Sequence, residues 1–127
     1  MRVPRMTLVG VAILALSAVV GVVLLPALPP SVAVHFGTGG EPDSFVAAPL
    51  GVFLVPTIGV GALLVTRFAG ATAIGDSVPP VFDTVLATFL AYVQALVLAY
   101  NLGARFDMPV AVVTFGAVAG VVLDRAG

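Results

Sequence analysis

The sequence predicts an all-α membrane protein, a bundle of four transmembrane helices with a structured exterior loop between the first and second. Three observations predict it. Hydrophobic residues make up 61% of the 127 residues and charged residues only 9%, whereas a soluble domain carries about 25% charged residues to wet its surface. The apolar residues fall into four runs, about 7–28, 47–66, 81–102 and 108–123. The polar residues collect between the runs, above all in Pro29–Phe45, which holds the only histidine and the only glutamate. Lipid is therefore the expected solvent, and the chain reads as one integral membrane domain.

The first run follows Arg2 and Arg5 and is long enough to cross, since about 20 apolar residues at 1.5 Å each span the hydrocarbon core. A cleaved signal peptide is the competing reading, but its apolar region is usually about 7–15 residues and ends at an A-x-A-like site. Ala27-Leu28-Pro29-Pro30 is a poor site of that kind, so an uncleaved helix is expected. The second run opens at Pro49, which suits a helix start because its missing N–H is not needed there. Pro56 lies mid-span, where lipid-embedded helices tolerate proline when a neighbour satisfies the freed carbonyl. Arg67–Pro80 reads as a loop through Gly70, Gly75, Asp76, Ser77 and Pro79-Pro80. Gly103–Asp107 reads as a tight turn, and the fourth run, at about 16 residues, is short for a span.

Arginine placement sets the orientation, because basic residues favour the cytoplasmic side. With both termini inside, Arg2, Arg5, Arg67 and Arg125 are cytoplasmic and Arg105 alone is outside. Loop 29–46 then faces the exterior of the cell membrane. The chain has no lysine and no basic cluster, so nucleic acid is excluded as a partner. It has no cysteine, hence no disulfide framework. Helices in lipid associate through small residues, and Ser17-x-x-x-Gly21, Thr57-x-x-x-Gly61 and Gly116-x-x-x-Gly120 each offer such a face, within one chain or between copies in a homo-oligomer.

The third run carries an intramembrane polar stripe. At 100° per residue, Asp83, Gln94 and Asn101 fall within about 20° of one another, with Tyr92 on the opposite face. Facing lipid is costly for such groups, so the stripe should point into the bundle or at a partner. Two readings follow. It forms a proton or ion path, or Gln94 and Asn101 bond between helices while Asp83 sits at the water interface.

The exterior loop has turn chemistry. Val32, Val34 and Phe36 alternate with Ala33 and His35 in a strand-like pattern. Gly37-Thr38-Gly39-Gly40 permits positive φ and a sharp reversal, and Glu41-Pro42-Asp43-Ser44 is a turn signal. His35, Glu41 and Asp43 would suit a zinc-like ion chemically, but no helical spacing fixes their geometry and no metal is assigned. The simpler expectation is that His35 bonds Asp43 or a backbone carbonyl and locks the turn. There is no HExxH, no GxSxG and no second histidine, so no catalytic residue, cofactor or enzyme activity is expected.

Leu28-Pro29 through Val34-His35-Phe36, then Gly40-Glu41-Pro42-Asp43-Ser44-Phe45, resembles the signature loop of the SdpI-type immunity proteins. The resemblance covers Val20–Leu64 and concerns their N-terminal membrane domain of unknown function. Ala33 stands where the family often has proline, and a C-terminal SdpI domain with its Asn- and Arg-bearing motif is not seen. The resemblance implies that His35, Phe36, Gly40, Glu41, Pro42 and Asp43 matter. It implies protection against, or sensing of, a membrane-active secreted peptide, or action with a membrane-protein partner. A small transporter, or a subunit of a membrane assembly using the stripe, is the alternative.

Overall fold

A computed structural model describes residues 3–69 and 78–126. Among them, four helices are long and apolar enough to cross a membrane, and the protein is a multi-pass membrane protein. α1 spans Arg5–Leu24 and ends in a single 3-10 turn, Leu25–Ala27, where Pro26 cannot continue the helix. A β-hairpin follows, β1 over Ser31–Phe36 and β2 over Pro42–Ala47. α2 spans Ala48–Leu64 and runs into a π-helical turn, Val65–Ala69. α3 spans Val81–Asn101 and α4 spans Met108–Ala126. Gly70, Gly75, Asp76 and Ser77 of the expected loop, and Arg2, lie outside the described residues.

α1, α2 and α3 pack against one another, and α4 packs on α3. Leu14, Leu63 and Ala87, one from each of the first three helices, are fully buried at the centre. The helices approach closely there because glycines leave room. A Cβ on Gly59 would come within 2.8 Å of Leu14 Cδ1, and one on Gly21 within 2.8 Å of Val52 Cβ. The small-residue pairs read from the sequence are only partly used. Gly21 is a contact, but no described atom lies within 4 Å of a Cβ built on Gly61 or Gly120.

The two faces of α3 do different work. Its polar stripe turns toward α1 and α2, with Asp83 and Gln94 buried. Tyr92, on the opposite face, stacks on Phe115 of α4 with centroids 4.6 Å apart, and Phe89 flanks the same ring at 5.7 Å. Outward-facing valines and leucines of α1, α2 and α4 are exposed, as lipid contact requires.

The turn between α3 and α4 is specified locally. Gly103 adopts φ +116°, its N–H donates to Tyr100 O, and the Ala104 N–H donates to Ala99 O. This pair of bonds closes a helix through a left-handed residue, which glycine adopts without a Cβ penalty. Asp107 caps α4, with Oδ1 accepting from the Val110 N–H at 3.1 Å. α4 continues past the expected end at 123 to Ala126, because Asp124 and Arg125 are charged without being helix breakers.

Candidate functional site: the hairpin end of the bundle

The expected structured loop is an antiparallel hairpin laid across the start of α2 and the end of α3. Val32 and Ala33 are its buried residues. Val32 sits over Gly51 so closely that a Cβ there would lie 2.3 Å from Val32 Cγ2. The Ala48 N–H donates to Pro30 O at 2.9 Å, joining the base of the hairpin to the first residue of α2.

Asn101 ties the hairpin to α3. Its Oδ1 accepts from the Ala33 N–H at 2.8 Å, and its Nδ2 donates to Ala33 O at 2.9 Å and to Val97 O at 2.8 Å. One side-chain amide thus takes both backbone groups of a strand residue, as a neighbouring strand would. Phe36 packs edge-on against Tyr100, centroids 4.8 Å apart. The Arg105 guanidinium lies 4.6 Å over the same ring and donates to Tyr100 O.

The reversal occurs at Gly37–Gly40, as the glycines predict, while Glu41–Ser44, also read as a turn signal, does not form a turn of its own. The Gly40 N–H donates to Gly37 O, the Gly37 N–H donates to Glu41 O, and Gly40 has φ +85°. Pro42 opens β2 instead, a strand position where a missing N–H does no harm. Asp43 does not bond back into a turn; it reaches across the ladder. His35 Nδ1 lies 2.6 Å from Asp43 Oδ1, and facing an ionised carboxylate the nitrogen is the donor. Glu41 is exposed and does not join them, and no group of three metal-ligating side chains occurs among the described residues. Beside this pair, Val34, Phe36, Val93, Val97, Met108 and Val112 are among the residues around a pocket of about 320 Å³, with His35 and Thr38 at its polar edge.

Gln94 bonds between helices, as one of the two readings expects, whereas Asn101 bonds the hairpin strand and its own helix, and Asp83 does not sit at a water interface. It is fully buried. Arg67 Nε and Nη2 donate to its two oxygens at 2.7 and 2.9 Å, and the Thr7 hydroxyl donates to Oδ2. Arg67 also donates to Val78 O and Pro79 O. Sequence spacing gives no signal for Thr7, and in the sequence Arg67 reads only as an orienting charge. Gln94 has a different task. Pro56 lacks the N–H that would bond Val52 O one turn back, and Gln94 Nε2 donates to that carbonyl at 2.8 Å.

Residues 12–60 match the family model of a domain of unknown function, DUF1648. The segment runs from α1 through the whole hairpin and most of α2, the stretch on which the SdpI-type resemblance rests. The match agrees with the N-terminal domain that the loop motif implied. No curated protein and no solved structure matches the chain. Of the motif residues, the DUF1648 segment supplies all six, whereas Asn101, Tyr100 and the α4 wall of the pocket come from outside it.

Proposed function

We propose that this protein guards or reports on the membrane of its own cell, through recognition of a membrane-active peptide by the hairpin on the exterior face. The observation that carries the reading is the Asn101 clamp. It fixes a folded hairpin onto the bundle and so holds the His35–Asp43 pair beside an apolar pocket. A loop serving only to connect two helices needs no such attachment. The exterior placement rests on arginine bias, four residues on the side of the termini against Arg105 on the hairpin side. The role is non-catalytic, one of binding. The transport reading gains less support, since Asp83, Gln94 and Asn101 are each bonded to partners within the fold.

The test is membrane depolarisation in source cells with and without the gene, exposed to their own concentrated culture supernatant. Greater depolarisation in the deletion strain is expected, restored by wild type and not by a His35→Ala variant present at equal abundance. Identical traces with and without the gene sink the protective reading.

A further inference from the structure

The hairpin has two edges, and among the described residues only one is occupied. On the β1 side, Asn101 takes both the N–H and the C=O of Ala33. Ala33 stands opposite Phe45 in the ladder. In an antiparallel pair, facing residues either exchange both backbone bonds or both point away from each other. Ala33 points away, so the N–H and C=O of Phe45 are directed to the outer edge of β2. Ala47 faces Ser31 two residues on, and its N–H repeats that phase. Phe45 is itself 59% exposed, and Ser44 and Asp43 beside it are exposed as well. An open strand edge is a template for pairing with another chain.

Charge selects the occupant. Among the described residues the hairpin end carries three exposed carboxylates, Glu41, Asp43 (paired with His35) and Asp107, against one arginine, Arg105. A second copy would bring the same acidic edge against this one, and like charges facing each other across an interface are repelled. A cationic chain would be attracted. We propose that the outer edge of β2 docks an extended, lysine- or arginine-bearing peptide segment, which adds to the hairpin as a third strand through Phe45 and Ala47. This rests on the reading that the hairpin recognises a membrane-active peptide, and names the chemistry of that peptide and the atoms that hold it.

The experiment uses the full chain in nanodiscs of zwitterionic phosphatidylcholine and a fluorescent peptide of alternating valine and lysine, read by anisotropy against empty nanodiscs. Binding above the empty discs is expected, weaker by about tenfold for the valine–glutamate peptide. Phe45→Pro removes the outward N–H without touching the β1–β2 bonds and should weaken binding by about tenfold, while Phe45→Leu, which keeps the N–H, should stay within about threefold. A thermal midpoint for Phe45→Pro close to that of Phe45→Leu establishes that the hairpin is intact; Glu41→Gln with Asp43→Asn gives a second route, expected to equalise the two peptides. Equal binding of the lysine and glutamate peptides by wild type, or of the lysine peptide by Phe45→Pro and Phe45→Leu, overturns edge docking. Phe45→Pro cells that resist depolarisation as wild type does would overturn it too, while leaving the protective role of the hairpin standing.

Discussion

Among the described residues, two acid–base pairs of nearly equal length lie one at each end of the bundle, in opposite surroundings. Arg67–Asp83 is closed at 2.7 Å with its side chains 7% and 0% exposed, and His35–Asp43 at 2.6 Å with 70% and 51% exposed. The first joins the entry of α1, the end of α2 and the entry of α3. The second spans a single hairpin ladder. Distance therefore says little about what each pair does. A buried pair whose partners are desolvated is costly to break, because the survivor is stranded, whereas an exposed pair leaves groups that water readily solvates. The same contact is a structural joint at one end and a presented surface at the other.

The largest effect should come from breaking the buried joint on one side only. Asp83→Ala removes the buried carboxylate that takes two hydrogen bonds from Arg67 and leaves the Thr7 hydroxyl without that acceptor. A loss of about 3–5 kcal/mol is expected, read as a large fall in the thermal midpoint of purified protein. Combining Asp83→Leu with Arg67→Met should recover part of that loss, because no charge is then stranded. A double variant no better than Asp83→Ala would contradict the argument.

Next in size is Gly51→Ala, which asks whether the hairpin end is as closely packed as the core. The added Cβ meets Val32 at 2.3 Å, so the hairpin must move off α2 at a cost of about 1–3 kcal/mol. Gly61→Ala, in open space, is the control expected to be silent. Proteolysis within Gly37–Gly40 should quicken for the first variant only.

A smaller effect separates joint from surface inside the bundle. Gln94→Leu deprives Val52 O of its donor and should cost about 1–2 kcal/mol. In a Pro56→Ala background the helix regains its own N–H for that carbonyl, and the cost of Gln94→Leu should fall by about 1 kcal/mol. Purely additive behaviour in this cycle would show that Gln94 serves some other purpose than repairing the proline gap.

How much of this was legible follows from which interactions are local. The four crossings are written in apolar runs, and the Asp83, Gln94 and Asn101 stripe follows from helical angle alone, so both could be read directly. The partners could not. Thr7 lies 76 residues from Asp83 and Arg67 lies 16 away, and nothing in spacing along a chain announces a contact made by tertiary packing. Asp83 at the start of a span looks the same whether water or an arginine meets it. The close-packed glycines are legible only in part for a similar reason: Gly21 is a contact as its small-residue pair predicts, but whether Gly59 or Gly61 is one depends on where Leu14 of another helix falls. In the hairpin, Pro42 and Asp43 have the chemistry of a turn and also that of an edge strand, and the glycines just before them settled the matter by taking the reversal themselves.

The smallest effect is the one that defines the comparison. His35→Ala and Asp43→Ala should each change stability by no more than about 1 kcal/mol, because exposed pairs gain little over their solvated parts. Thermal midpoints near that of wild type are expected, alongside a loss of protection in the depolarisation assay. That combination is what a presented pair demands, function lost while the fold survives. A fall in stability approaching that of Asp83→Ala would mean that the hairpin depends on the pair to fold, and the two ends would then be joints of the same kind.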